Sequence, residues 1–199
     1  MAPAEPIWIS LKGAQPPTRR TLEETVFLRF PSLFRVAASL AFRLPRRSRL
    51  RQAVFRRVTR QAMGAWMRGD FAPTLIRYAP DVVLTAEIRT DSSLDFKPSY
   101  LGRDGVRAFV RTYQDAFRDH LYEPRWLIDL DANMLVMLVQ HTVRGRASGI
   151  EVEQVSAHRL QTRNGLITRE EVHAAPGHDW EPVLRAVGLD PAELARRSP

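Results

Sequence analysis

The sequence predicts an α+β protein in which helices come first and an antiparallel sheet follows. Helical periodicities dominate the chain up to Leu121, and β-prone runs then succeed one another from Trp126 to Ala175. The dipeptide Asn164-Gly165 between two of these runs is a strong signal for a tight hairpin. Helices packed on one face of a curved antiparallel sheet enclose a cone, so we expect three helices on such a sheet and a pocket inside it.

The composition is that of one domain with a hydrophobic core and an appendage. The chain has 199 residues and no cysteine, which excludes disulfides and a cysteine nucleophile. Its net charge of +8 is concentrated in the first 60 residues, which hold 13 Lys and Arg against three acids. The rest is slightly acidic, so an anionic partner should meet only the N-terminal segment, and nucleic acid is not the expected partner.

The N-terminal extension, residues 1–48, combines prolines, arginines and apolar side chains. Prolines predict a loose leader over residues 1–20. The run LFRVAASLAFRL, residues 33–44, is too short to span a bilayer. Three uses of the extension stay open, namely packing over the domain or a dimer partner, contact with a membrane surface through residues 22–60, and contact with nucleic acid. The apolar content favours the first two.

The domain, residues 49–190, opens with an amphipathic helix over residues 49–68. Its apolar side chains, among them Leu50, recur at steps of three and four, and Arg51 falls among the arginines of the polar face. Asp70 is expected to cap a short second helix that reaches Tyr78.

The second half of the domain begins with a predicted strand over residues 81–88. The polar connection of residues 90–99 is of the kind that rims a pocket. A third helix is predicted from Asp104 through Leu121, closed by Glu123-Pro124.

Four further strands are expected before a last helix at residues 181–187 and a tail at residues 191–199. The predicted strands are residues 126–131, 134–144, 150–162 and 166–175. The stretch VRGRASGIEVEQ, residues 143–154, raises the alternative of a basic loop that grips an anion. Its arginines are balanced by nearby glutamates, so we interpret it as a hairpin between two strands.

Eight short strings resemble one known family in their order and spacing. They are GDF (69–71), APDVVL (79–84), YLGRDGVRAFV (100–110), AFRD (116–119), EPRWLID (123–129), GRASGIEVEQ (145–154), RNGLITRE (163–170) and LRAVGL (184–189). Together they resemble the SnoaL-like, polyketide-cyclase-like branch of the nuclear transport factor 2-like superfamily, over about residues 50–190. The resemblance implies a cone-shaped fold and a homodimer. It leaves function open, because isomerases, cyclases, epoxide hydrolases and binding proteins share this scaffold.

The catalytic positions of two family branches can be compared with this sequence. In ketosteroid-isomerase-like members, three hydrogen-bonding or proton-moving positions fall near Ala62, Ala157 and Ala86, where none of those residues could act. A shift of one residue in this count brings Glu87 or His158 into question. The arginine and aspartate of epoxide-hydrolase-like members are also missing, since Arg144 is followed by Arg146.

The candidate catalytic residues are Glu170 and His158. The family resemblance implies that Glu170 points inward on the last strand, where burial suits a carboxylic acid to general acid or base chemistry. His158 and His141 are candidate pocket residues, because an imidazole ordinarily titrates near working pH, although a histidine on the outer sheet face is an equal alternative. Glu153 is a rim candidate whose alternative is a surface ion pair.

Aromatic side chains complete the expected pocket. Trp66, Tyr78 and Tyr113 could line an apolar cavity for a ring-shaped ligand, although each could equally be a core residue. The histidines are too dispersed to predict a metal site, and no motif predicts a cofactor.

The leading functional hypothesis is binding of a small hydrophobic molecule in the cone, with isomerase, cyclase or hydrolase chemistry by proton transfer. The competing hypothesis is a non-catalytic interaction module whose basic segment docks on a membrane surface or a protein partner. No secretory signal is evident in MAPAEPIWIS, so we expect a cytoplasmic protein, with peripheral membrane contact under the second hypothesis.

Overall fold

A curved seven-stranded sheet forms the centre of the computed structural model, which describes residues 5–13, 16–88, 96–131 and 133–197. The strand order is β1-β4-β5-β6-β7-β2-β3. All neighbours are antiparallel except β2 and β7, which are parallel. The strands are β1 Ile7–Ser10, β2 Tyr78–Ile88, β3 Ser99–Leu101, β4 Phe117–Asp129, β5 Met134–Gly145, β6 Glu151–Arg163 and β7 Leu166–Pro176. The predicted α+β class is confirmed.

Helices cover both faces of this sheet. They are α1 Leu22–Arg29, α2 Pro31–Arg43, α3 Arg49–Met67, α4 Ala72–Leu75, α5 Gly102–Ala116, α6 Glu181–Ala186 and α7 Pro191–Arg197. Helices α3 and α5 pack against β4 and β2 on the concave side, and α6 packs against β6 and β7 on the opposite side.

Strand β5 shows why the sheet can be buried on both faces. Its sequence MLVMLV sends Leu135, Met137 and Val139 into the core on the concave face. Val136 and Leu138 alternate with them and join the core under α6 and α7. A strand buried on both faces therefore appears in sequence as a continuous apolar run.

The N-terminal helices lie over the opening of the cone. The turn of the β6–β7 hairpin touches α2 so closely that a Cβ atom on Gly165 would lie 2.7 Å from the Ala38 Cβ. Gly165 also has a φ of +77°, which other residues rarely adopt. The sequence element that makes the hairpin turn therefore also permits α2 to close on the sheet.

A buried ion pair holds α2, α3 and β4 together. Arg51 and Asp129 have side chains only 1% exposed, and Arg51 Nη2 lies 2.8 Å from Asp129 Oδ2. Arg51 Nη1 donates to the carbonyl oxygens of Phe42 and Leu44 at 2.6 and 3.0 Å. Burial raises the pKa of Asp129, whereas the positive charges of Arg51 and Arg46 oppose this rise. The end of α2, the start of α3 and the end of β4 thus meet at one guanidinium group.

The assignment of Arg51 to the solvent face of its helix was wrong. Arg51 is fully buried, whereas Leu50, expected on the apolar face, is exposed. A carboxylate from a strand distant in sequence makes burial of the arginine tolerable.

The predicted third helix also ended too late. Helix α5 stops at Ala116, and β4 runs from Phe117 through Leu121 and Pro124, so His120 lies on a strand. Irregularities in the β4–β5 pairing fall between Arg118 and Leu121 and between Pro124 and Trp126. Pairing along β5 therefore overrides the local helical periodicity, and the proline is accommodated at an irregular point of the strand.

Three smaller expectations differ from the structure. The leader was predicted to be loose, but β1 pairs with β4 in antiparallel register. Tyr78 begins β2 and does not end a helix. Asp70 does not cap α4, because its carboxylate forms an ion pair with Arg20 at 2.8 Å. Within the connection expected to rim the pocket, residues 90–95 lie outside the described residues.

Replacing Arg51 by methionine should destabilise the protein by about 3–5 kcal/mol, because the substitution leaves the Asp129 carboxylate buried beside one arginine in place of two. Urea unfolding followed by circular dichroism measures this loss. Arg47→Met is the matched control, since the Arg47 side chain is 82% exposed and bonds only to the surface residue Glu5. An equal, small effect of both substitutions would contradict the structural role given to Arg51.

Candidate functional site

A cavity of about 180 Å³ lies between the concave face of the sheet and helices α2, α3 and α5. Most of its wall is apolar. Helix α2 contributes Phe34 and Phe42, α3 contributes Val58 and Trp66, and α5 contributes Phe109. The extension is thus part of the cavity wall, and this intramolecular packing is one of the two uses that its apolar content favours.

Five polar side chains form a hydrogen-bonded row along one side of the cavity, which we call the polar row: Tyr78, Glu170, His158, Ser156 and His141. The Tyr78 hydroxyl donates to Glu170 Oε2 at 2.5 Å, and His158 Nδ1 lies 2.8 Å from Glu170 Oε1. Ser156 Oγ lies 3.1 Å from His158 Nε2 and 2.5 Å from His141 Nε2. Every member of the row contacts the next.

Strand alternation explains how the row forms. Ser156 and His158 are two apart on β6 and point to the same face. Ser156 pairs with Ala174 on β7, and His158 pairs with Val172, two residues beyond Glu170. Tyr78 enters from the first residue of β2, whose parallel partner is β7. Each of the four strands β2, β5, β6 and β7 therefore contributes one or two residues to the polar row.

The chemistry of Glu170 follows from its surroundings. The residue is only 5% exposed, yet both carboxylate oxygens have hydrogen-bond partners. Burial raises the pKa of Tyr78 well above its usual range, and the charge and hydrogen bond of Glu170 raise it further. Tyr78 therefore remains a neutral donor, which suits an ionised Glu170 as acceptor.

With Glu170 ionised and His158 neutral, the hydrogen bonds of the polar row permit one arrangement of protons. An ionised Glu170 can only accept, so His158 carries its proton on Nδ1, and its Nε2 accepts from the Ser156 hydroxyl. Ser156 in turn accepts from His141 Nε2. His141 Nδ1 is then a bare acceptor, and this buried atom has no hydrogen-bond partner among the described residues. Burial lowers the pKa of His141 to about 3, assisted by the positive charge that His158 or His120 would carry, so His141 is neutral.

A second polar pair lies deeper in the same cavity. Gln154 Nε2 donates to the Tyr113 hydroxyl at 3.0 Å. Burial raises the pKa of Tyr113 to about 12, against the opposing effect of its hydrogen bond with Gln154. The centre of the Trp66 ring lies 6.1 Å from that of Tyr113 and 5.8 Å from that of Tyr122. These edge-on contacts fix the orientation of both tyrosine rings.

Six of the seven predicted site residues line the cavity. They are Glu170, His158, His141, Trp66, Tyr78 and Tyr113. Glu153 does not, because it has the opposite parity from Gln154 and Ser156 on β6. Its side chain is 51% exposed and lies 2.7 Å from His178 Nε2, so it makes a contact at the surface, as in the alternative interpretation.

The family positions can now be located. Ala62 lines the cavity, and Ala157 faces the core under α6. The inward residue on β6 is its neighbour His158, which the shift of one residue had brought into question. Glu87 pairs with His173 at 3.3 Å and is exposed.

Several polar cavity residues escaped the sequence reasoning, among them Gln154 and Tyr122. Ser156 could have been found, since alternation places it between Gln154 and His158. Thr74 and Arg77 carry no periodic signal, because they lie on the short helix α4 and in the turn after it. Within the described ranges, no group of three or more His, Asp or Glu side chains could hold a metal ion.

Comparison with known proteins agrees with this architecture. Residues 59–170, more than half of the chain, match the family model described as the SnoaL-like domain. The chain therefore belongs to the SnoaL-like family, as the eight sequence strings had indicated. No curated protein matches the chain significantly.

Solved structures share the fold at low sequence identity. An NTF2-like protein of unknown function from Burkholderia pseudomallei is 22% identical, with a TM-score of 0.52, and the match covers 66% of this chain and 95% of that one. TerC, co-crystallised with polyporic acid, is 17% identical, with a TM-score of 0.51 and coverage of 65% and 96%.

The N-terminal helices α1 and α2 precede the matched family region. Among the described residues, no single helix is long and apolar enough to cross a membrane. The pair α1 and α2 would pass by length and composition together, but the two helices are bent by 111°.

The buried His141 should make stability depend on pH. Its pKa is about 3 in the folded protein and 6.5 when unfolded, so the unfolded state binds the extra proton as the pH falls below 6.5. Relative to pH 7, wild type should lose about 2 kcal/mol more at pH 5 than a His141→Gln variant, which lacks this group. Urea unfolding at the two pH values measures the difference. Equal losses, or an NMR titration of the His141 ring near pH 6.5, would contradict the assignment.

Proposed function

We propose that the chain binds a compact, largely apolar ring compound in the cone cavity and transfers a proton on it, with Glu170 as the catalytic acid or base. One observation carries this proposal. Glu170 is a nearly buried carboxylate in the wall of an apolar cavity, held between Tyr78 and His158 by hydrogen bonds of 2.5 and 2.8 Å. Such a carboxylate has no evident structural ion pair with Lys or Arg in the described part of the chain, which favours a chemical role.

The reaction class follows from the groups that face the cavity. Glu170 can take a proton from a carbon atom next to a ligand carbonyl and return it elsewhere, as in an isomerisation or a cyclisation. The electron pair of that C–H bond forms a C=C bond while the π pair of the C=O bond moves to the carbonyl oxygen, and this oxygen then needs hydrogen-bond donors. Tyr113 and Tyr122 line the same cavity, and burial raises the pKa of both hydroxyls, so they remain protonated donors.

His158 is proposed to position Glu170 and to exchange protons with it. The proton on Nδ1 can stabilise the carboxylate, and Ser156 and His141 continue the hydrogen-bonded row beyond it. The fold itself is compatible with ligand binding, since TerC was crystallised with polyporic acid. The homodimer implied by the family resemblance stays a prediction.

A hydrogen–deuterium exchange experiment tests the proposed chemistry. In D₂O the protein should accelerate exchange at the carbon atoms next to the carbonyl of 2-tetralone, a compact apolar ketone, as followed by ¹H NMR. Glu170→Gln should reduce the accelerated rate by about 10²–10⁴-fold, because the variant keeps the shape of the side chain but loses the base.

Glu171→Gln is the matched control. Glu171 is next in sequence, but its carboxylate pairs with Arg169 at 2.8 Å on the other face of β7. The Glu171→Gln variant should accelerate the deuterium exchange of 2-tetralone as much as the wild type does. Absence of probe binding, or equal rates for Glu170→Gln and wild type, would overturn the proposed function.

A second candidate function is docking on an anionic lipid surface through α1 and α2. Six large apolar side chains on or between these helices are exposed: Leu22, Val26, Phe30, Leu33, Val36 and Leu40. Arg29, Arg35 and Arg43 are exposed on the same two helices. The acids of α1 are engaged elsewhere, Glu23 with Arg57 and Glu24 with Arg68. Apolar side chains flanked by arginines suit the boundary between lipid headgroups and acyl chains.

Vesicle co-sedimentation tests this second candidate. The full chain should bind vesicles that contain phosphatidylserine, bind less at high salt, and bind weakly to pure phosphatidylcholine. Val36→Asp combined with Leu40→Asp should abolish binding, because both residues line one groove on α2 with Arg35 and Arg43. Ile150→Asp, at an exposed apolar residue of the β5–β6 turn, is the control. Binding that ignores lipid charge or survives the double substitution would refute lipid docking.

A further inference from the structure

Arg77 is a buried arginine in the cavity wall without an acidic partner. It is 7% exposed, and no carboxylate within the described residues lies within 4 Å of its guanidinium group. Its Nε donates to the Pro73 carbonyl oxygen at 3.2 Å, and its Nη1 is buried without any hydrogen-bond partner. Burial lowers the pKa of Arg77 to about 10, which still leaves it charged at neutral pH.

The other buried arginine in the structure shows what Arg77 lacks. Arg51 has the Asp129 carboxylate at 2.8 Å and two backbone carbonyl oxygens. An arginine that is buried without such partners costs free energy, because its desolvated donors are not compensated. The charges of Glu24 and Glu23 act on Arg77 from beyond ion-pair distance, and its Nη1 keeps no hydrogen-bond partner among the described residues.

Thr74, three residues before Arg77, supplies a second unsatisfied group. Its hydroxyl is buried, has no hydrogen-bond partner among the described residues, and belongs to the same cavity wall. The backbone connects the two residues, since the amide of Arg77 donates to the carbonyl oxygen of Thr74 at 3.1 Å. A guanidinium group and a hydroxyl on one turn of chain are a matched set of donors for a planar anion.

Helix α2 covers this corner of the cavity. The guanidinium carbon of Arg77 lies 5.4 Å from the centre of the Phe34 ring. The ring packs against the guanidinium group, and the low dielectric constant of this apolar wall strengthens the attraction of Arg77 for an anion. The N-terminal extension thus completes a site whose donors come from the family domain.

We propose that the natural ligand of the cavity is a compact aromatic or alicyclic carboxylate whose anionic group binds Arg77 and Thr74 while its apolar ring fills the cone. This inference rests on the proposed function, because it names the chemical class of the ligand that Glu170 acts on. A ligand of one or two rings is consistent with the cavity of about 180 Å³.

Paired ligands of equal shape and different charge test the inference. Isothermal titration calorimetry should show that 2-naphthoate binds the wild-type chain at least about tenfold more tightly than neutral 2-naphthamide, since hydrogen bonds to charged groups are the stronger ones. Arg77→Met retains much of the side-chain volume and removes the charge, so it should abolish the preference for the carboxylate. Thr74→Val is nearly isosteric and should reduce it, which provides a second variant if Arg77→Met does not fold.

Arg163→Met is the control, because Arg163 is exposed and lies outside this cavity. It should keep the wild-type preference. Equal affinities of the two naphthalene compounds, or a preference that persists in both Arg77→Met and Thr74→Val, would overturn the carboxylate inference and leave cavity binding intact. Failure of both compounds to bind would overturn the inference and the proposed function together.

Discussion

The contact between Arg51 and Asp129 holds the N-terminal helices against the sheet, and the rest of the site depends on it. The guanidinium group joins a carboxylate at the end of β4 to the last carbonyl oxygens of α2. A buried ion pair adds little net stability compared with apolar residues, but it tolerates few other arrangements of its partners. It therefore fixes the position of α2 more than it strengthens the fold.

Closure by α2 changes the electrostatics of the cavity. With Phe34 and Phe42 over the opening, the carboxylate of Glu170 and the guanidinium group of Arg77 lie in a medium of low dielectric constant. The protein satisfies the hydrogen-bonding groups of Glu170 but not all of those of Arg77. Glu170 has two hydrogen-bond partners within the polar row, whereas Arg77 keeps an unsatisfied donor. One apolar cavity therefore holds a hydrogen-bonded carboxylate and an unsatisfied cation, which suits the proposed anionic ligand and the proposed proton transfer.

The region that matches the SnoaL-like family and the helices before it have different roles in the structure. The region that matches the SnoaL-like family, residues 59–170, contains the whole polar row and both donors of the proposed anion site. The preceding helices supply the cover and an exposed basic and apolar surface. A shared scaffold can thus acquire a particular ligand, or a particular location, through an added segment without change to the central sheet.

Much of this could be predicted from the sequence, because it depends on local patterns. The alternation on β7 determined that Glu170 shares a face with Val172 and Ala174, and the turn signal at Asn164-Gly165 determined the hairpin beside it. The eight short strings that resemble the SnoaL-like family in order and spacing predicted the fold. The alternation of side chains along β6 also predicts that Ser156 points into the cavity, although Ser156 was not among the predicted site residues.

Only the tertiary structure decided which polar groups meet. Arg51 looked like a solvent-facing residue because its helix has arginines all along one side, and its counter-charge, Asp129, is distant in the chain. Helix α5 ended early because β4 gained its hydrogen bonds from β5, a partner that local periodicity does not reveal. Arg77 follows a short helix without any repeating pattern, so its burial without an acid became visible only when the surrounding elements were in place. Burial and charge pairing are properties of contacts between distant residues, whereas alternation and turn chemistry are properties of neighbours, and the sequence by itself determines only the second kind.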